Sequence, residues 1–149
     1  MEMNGSERIA ASKETVWAAL NDPAILQQCI PGCQKLEKAS DSEMTATVTL
    51  KVGPVKASFN GKVMLSDIDA PNSYRITGEG TGGVAGFAKG GANVRLEQDA
   101  DITVLHYDVD AQVGGKIAQL GSRLIDSTAK KLAGEFFAKF GEVVIETVE

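Results

Sequence analysis

Apolar and polar positions along this chain change rhythm twice, and the changes mark out its elements. The opening MNGSERIAAS predicts a first strand. Behind Ser12, the residues Val16, Trp17, Ala19 and Leu20 recur at helical spacing, with Ser12 placed as an N-cap for the segment SKETVWAALND. Asp22-Pro23 then predicts a second short helix, Asp as cap and Pro at the first helical position. Its apolar residues Ile25, Leu26 and Ile30 run into Pro31-Gly32, which stops it.

From about Lys35 to Val113 the period is two. Met44, Ala46, Val48, Leu50 and Val52 alternate with Thr45, Thr47, Thr49 and Lys51, and Ala57, Phe59, Gly61, Val63 and Leu65 follow. Tyr74, Ile76, Gly78 and Gly80 continue the phase, then Ala88, Gly90, Ala92, Val94 and Leu96, then Leu105, Tyr107, Val109, Ala111 and Val113. Turn signals VGPV, DAPNS and EQDAD separate these runs. Alternation with one wet face indicates an antiparallel sheet, and no helical stretch interrupts it, so parallel crossovers are excluded.

From GGKIAQLGSRLI onward the period becomes helical. Ile117, Leu120, Leu124, Thr128, Leu132, Phe136, Phe140 and Val143 fall on one stripe, which predicts a single helix of roughly 30 residues, about 45 Å long. Its natural partner is the apolar face of the sheet. The expected fold is α+β: a curved antiparallel sheet of about six to seven strands around a long C-terminal helix, with two short helices after the first strand. No linker or repeat divides it, so residues 1–149 are expected to form one domain.

Several inward positions are smaller than a packed core needs. Ala57, Gly61, Gly78, Gly80, Ala88, Gly90 and Ala92 share the apolar phase of the strands, and the helix adds Ala118, Gly121, Ala129, Ala133 and Gly134. Small residues facing small ones mean either close approach, with glycines that let the sheet bend, or empty space. A void of ~300 Å³ would cost several kcal/mol against a total stability of ~5–15 kcal/mol. A space that large would be hard to keep empty, so the cavity reading brings a ligand with it. The expected lining is Val48, Phe59, Gly61, Ile76, Gly78, Gly80, Ala92, Val94, Tyr107, Leu120, Gly121 and Leu124, with Ile30, Pro31, Val84 and Phe87 at the entrance or lid.

Composition narrows the chemistry. The chain is 43% hydrophobic and 23% charged with a net charge of −5, a globular balance that disfavours nucleic acid. Its Lys and Arg residues are spread along the sequence and form no phosphate-binding stripe. No signal peptide or membrane-spanning run is evident, so a cytoplasmic protein with reduced thiols is expected. The two cysteines, Cys29 and Cys33 in CIPGC, lack the spacing of a CxxC redox motif and the ligand number of structural zinc. They read as packing thiols. His106 lies in a polar phase, away from either thiol, and does not read as catalytic. Arg75 and Arg95 lie in polar phases as well. GEGTGG matches GxGxxG but precedes a strand, so the match is accidental. The stretch Gly80–Gly91 is expected to be a long mobile hairpin tipped by Val84 and Phe87, either a lid or contact surface, or a loop folded back on its own core. Paired Asp67/Asp69 and Asp99/Asp101 belong to turns, and no inward acid–base pair is evident. No metal site or resident cofactor is expected.

Taken together, VWAALNDPAILQQCIPGC, the GPVKASFNGKV hairpin and the closing VGGKIAQLGSRLID resemble the CoxG family of carbon monoxide dehydrogenase subunits, within the helix-grip (SRPBCC, START or Bet v 1-like) superfamily. The resemblance covers essentially the whole chain. It implies a deep apolar cavity between sheet and helix and an association with molybdenum-containing hydroxylases of the carbon monoxide dehydrogenase type. Family roles are accessory: maturing or recruiting that enzyme, or linking it to the membrane and its quinone pool. Some members carry a C-terminal membrane-associating extension. This chain ends at Glu149, so the contact expected is a transient, peripheral one through Val84 and Phe87. The leading expectation is a non-enzymatic carrier of a hydrophobic small molecule, a quinone or lipid, serving molybdenum hydroxylase subunits. An assembly or recruitment factor without an essential ligand is the alternative, and an enzyme such as a cyclase or hydrolase is a third.

Overall fold

The computed structural model describes the backbone of residues 1–148 and the side chains of residues 1–145; Glu149, the last residue of the expected domain, lies outside them. Strand β1 (Glu2–Ile9) leads into helices α1 (Lys13–Leu20) and α2 (Pro23–Cys29). Six strands follow: β2 (Cys33–Ser40), β3 (Glu43–Val52), β4 (Val55–Asp69), β5 (Ser73–Thr81), β6 (Phe87–Asp99) and β7 (Ile102–Gly114). Helix α3 (Ser122–Val148) closes the chain. The strands form one antiparallel sheet in the order β1-β7-β6-β5-β4-β3-β2, so that only the β1–β7 pair joins distant parts of the sequence.

The local signals act as their chemistry dictates. Ser12 Oγ accepts from the Thr15 amide at 3.2 Å, and Asp22 Oδ1 accepts from the Ala24 amide at 2.9 Å, satisfying N–H groups that a helix leaves free. At Gly32 the chain takes φ +75°, and an added Cβ would lie 2.0 Å from the Thr49 carbonyl oxygen. Only glycine can make this turn from α2 into the sheet.

The final helix differs from the single helix expected from the periodicity. Lys116–Leu120 form a separate 3₁₀ turn, and Gly121, at φ +94°, breaks the chain direction before α3 begins at Ser122. Apolar spacing alone does not register such a break, because a 3₁₀ turn keeps the apolar side chains close to helical phase. The glycine-rich stretch is also tighter than expected. Pairing continues through Thr81 and resumes at Phe87, leaving only a short 3₁₀ turn, Gly83–Ala85, as the connection. Ala88, Gly90 and Gly91 are paired strand residues, not parts of a mobile loop.

The register fixes the two faces of the sheet. Leu65, Ile76, Ala92, Val109 and Met3 lie in one cross-strand row, and Tyr74, Val94, Tyr107 and Gly5 in the next row of the same face. This inner face meets the helices. Ile9, Leu65, Tyr74, Val94, Leu96 and Leu105 are buried there against Val16 and Leu20 of α1 and Phe140, Val143 and Val144 of α3. Trp17 meets Tyr74 edge-on at 5.1 Å, and Phe136 stacks on Phe140 at 5.6 Å, a geometry that adds to the area buried. The packed core therefore sits at the end of the sheet where α1 and the C-terminal half of α3 converge.

Candidate functional site

Toward the other end of the sheet the inner face is not sealed. Val48, Phe59, Gly61, Ile76, Gly78, Gly80, Ala92 and Tyr107 all point inward by register, yet all are only half-buried; of the expected strand lining, Val94 alone is fully buried. A Cβ added at Gly61, Gly78 or Gly80 would meet only atoms of neighbouring strands and nothing from the helix. Gly90 is different: a Cβ there would lie 2.2 Å from the Asp110 carbonyl oxygen, so this glycine serves close strand approach. Close strand approach thus accounts for Gly90, whereas Gly61, Gly78 and Gly80 leave room for a Cβ at or near ordinary contact distance.

The expected cleft would have this half-buried floor, on the face of the sheet that meets the helices. Leu124, half-buried near the start of α3, covers the tip of the β3–β4 hairpin, where a Cβ on Gly53 would lie 2.7 Å from Leu124 Cδ2. Leu120 is half-buried, and Gly121 is exposed at the break between the two helical segments. Ile30 packs against the core, and Pro31 is half-buried beside it at the end of α2. Val84 is 93% exposed on the β5–β6 connection, while the Phe87 ring lies against Gly114 on the opposite face of the sheet.

One polar group enters the inner face that the alternation rule did not single out: Glu7 takes an inward phase of β1 opposite Leu105. The hydroxyl of Tyr107, a residue of the expected lining, reaches across Gly5, which has no side chain to obstruct it. Burial, reinforced by the Glu7 carboxylate, holds the Tyr107 phenol above its ordinary pKa. Tyr107 also stacks on Phe137 at 5.3 Å. The phase Met3-Gly5-Glu7-Ile9 was visible in the sequence, but a single inward charge is easily passed over in a short strand. No hydrogen bond joins Glu7 to Tyr107 among the described residues.

The remaining candidates lie elsewhere. His106, Arg75 and Arg95 line an open polar depression of about 690 Å³ on the outer face, away from the cleft. There Arg75 donates to Asn93 Oδ1 at 3.0 Å, and Glu97 lies 3.6 Å from His106 Nε2. Cys29 is buried, Cys33 is half-buried, and burial raises both thiols above their ordinary pKa, which suppresses the reactive thiolate. Among the described residues no group of three or more His, Cys, Asp or Glu side chains could hold a metal ion, and no helix is long and apolar enough to cross a membrane.

Residues 5–145 match the family model of the carbon monoxide dehydrogenase subunit CoxG. The chain belongs to that family. Among solved structures it is similar to a conserved protein from Geobacillus kaustophilus, with 32% identity and a TM-score of 0.92 over 99% of this chain and 97% of that one. It shares its fold with a START superfamily protein from Mycobacterium smegmatis, at 19% identity and a TM-score of 0.68, covering 99% of each chain. An aromatase/cyclase from Streptomyces sp. R1128 has the same fold at 14% identity and a TM-score of 0.69, covering 100% of this chain and 96% of that one. A comparison with curated proteins finds no match. The helix-grip architecture is thus that of the START and Bet v 1-like proteins, a fold that also carries enzymes.

Proposed function

We propose that this CoxG family member is a non-enzymatic carrier that binds an apolar small molecule, a quinone or a lipid, in the cleft between α3 and the inner face. It serves a molybdenum hydroxylase of the carbon monoxide dehydrogenase type. The observation that carries the reading is the half-buried inner floor around Gly61, Gly78 and Gly80, where an added Cβ would have no helix atom among its nearest neighbours within 4 Å. Apolar surface in this state gains by being covered, and a ligand burying ~300 Å² of it would gain about 7 kcal/mol before the costs of association. The partner enzyme and the redox context are supported by the family's association with carbon monoxide dehydrogenase alone. Native mass spectrometry of gently purified protein, repeated after incubation with quinones and membrane lipids, tests the carrier. A stoichiometric apolar adduct is expected, and a chain that stays empty under both conditions overturns the reading.

A second reading, recruitment of the hydroxylase to a membrane surface, has its own observation. Lysines scattered in sequence are gathered by the topology. Lys51 and Lys56 face each other at the β3–β4 hairpin, and Lys89, Lys116 and Arg123 sit at the same end of the sheet as exposed Val84. All five are exposed, and among the described residues none takes part in an ion pair. Like charges placed opposite each other cost stability, and cations around an apolar tip suit an anionic bilayer. Sedimentation with phosphatidylglycerol vesicles but not phosphatidylcholine vesicles, lost at high salt and in Val84→Asp, is the expected result. Equal sedimentation with both vesicles, or with neither, removes this reading.

A further inference from the structure

The sheet has two edge strands, β1 and β2, and they are guarded unequally. Strand β2 breaks register twice, between Cys33 and Lys35 and between Lys38 and Ser40. It also carries Lys35, Glu37 and Lys38 and has α2 packed against it. Bulges, charge and a covering helix keep a free strand edge from pairing with another chain. Strand β1 runs for 8 residues with no register shift, proline or lysine. Met1 and Ala111 exchange two main-chain hydrogen bonds of 2.9 Å, so the residues of β1 bonded to β7 are Met3, Gly5, Glu7 and Ile9. The N–H and C=O groups of Glu2, Asn4, Ser6 and Arg8 therefore point away from β7, and among the described residues no other element hydrogen-bonds them. All of these residues are exposed.

We propose that this edge pairs with β1 of a second copy of the chain, antiparallel about a two-fold axis at Gly5. Bonds can be exchanged only between residues with free groups, so Glu2, Asn4, Ser6 and Arg8 must face one another. Placing Gly5 opposite Gly5 sets Glu2 against Arg8 of the second copy and Asn4 against its Ser6, with the same pairs repeated across the axis. Every free group of these residues then gains a partner. The register is complementary in charge as well. Glu2 and Arg8 share the outer face, where a cross-strand pair of opposite charges stabilises a sheet. A slip that puts Asn4 opposite Asn4, or Ser6 opposite Ser6, loses both ion pairs and one end pair. Glu2 has no ion-pair partner among the described residues, and Arg8 has only the exposed Asp99 at 3.3 Å, a contact that contributes little. Glu7, the inward charge of β1, would lie opposite Met3 and clear of its own counterpart.

Sedimentation velocity of the untagged chain over a concentration series tests the pairing, and a dimer is expected. Asn4→Pro removes an N–H that serves no bond within the chain, at an edge position where proline is tolerated. The dimer should dissociate in this variant while the fold, read by circular dichroism, stays as in the wild type. Glu2→Arg and Arg8→Glu each place like charges opposite each other on both sides of the axis. Each should raise the dimer dissociation constant about tenfold, and the double variant should restore it. A monomer at every concentration overturns the proposal, as does a dimer that Asn4→Pro leaves intact. A double variant no tighter than the single ones overturns the pairing of Glu2 with Arg8 and the register built on it.

Discussion

Replacing Phe140 with alanine is expected to destabilise the protein by about 3–5 kcal/mol, the range measured for removing a buried aromatic ring. Phe140 is 0% exposed, stacks on Phe136 at 5.6 Å and lies in the cluster that joins α1, the C-terminal half of α3 and the inner face. Deleting the ring leaves a void that Val16, Leu20 and Val144, held by two helices and the sheet, cannot collapse to fill. Because domains hold only ~5–15 kcal/mol in total, such a loss is a large share of stability. Urea unfolding is the measurement, with the midpoint shifting and the slope unchanged. A loss under about 1 kcal/mol would mean that the packed end does not anchor the fold.

The difference between the two ends of the interior explains how much could be read from sequence. Alternation in β3 to β7 was legible because each strand has one wet face, and inward and outward phases follow the register except at shifts in β2 and near the end of β4. Caps at Ser12 and Asp22 were legible because they are local chemistry. The 3₁₀ segment before α3 was not, since Gly121 changes the chain direction without changing apolar spacing. Nor was the gathering of Lys51, Lys89, Lys116 and Arg123, which only the antiparallel topology brings to one end. The cleft lies between these cases. Small inward residues marked the floor, but not whether the neighbouring carbonyl leaves room for a Cβ, as at Gly78, or stands too close for one, as at Gly90. That distinction depends on distances across strands that a one-dimensional pattern does not hold. The sequence argument from the cost of an empty void also changes form: the inward residues are half-exposed, so the cost is apolar surface facing water, and a ligand would gain by covering it.

Gly78→Leu is expected to have the opposite profile to Phe140→Ala. Gly78 lies on the floor between Val63 of β4 and Gly90 of β6, with ordinary backbone dihedrals. An added Cβ would stand 3.4 Å from the Lys62 carbonyl oxygen and 3.7 Å from Val63 Cγ2, distances that a β-carbon tolerates with little adjustment. The rest of a leucine side chain then extends toward α3, into the space a ligand would fill. Removing a glycine from a strand interior and covering half-exposed apolar surface both favour the folded state, so the melting temperature should hold or rise. Affinity for a quinone probe, 2-methyl-1,4-naphthoquinone, should fall by about 100-fold, the equivalent of ~2.7 kcal/mol, because the leucine side chain would occupy the space the ligand needs. Phe140→Ala, in contrast, should lose stability while the fraction that remains folded still binds. Unchanged probe affinity in a well-folded Gly78→Leu variant would place the ligand elsewhere. A loss of both binding and fold would mean that α3 sits closer to the floor than the gap over Gly78 requires. Only binding lost with stability kept fits a floor left open for a guest.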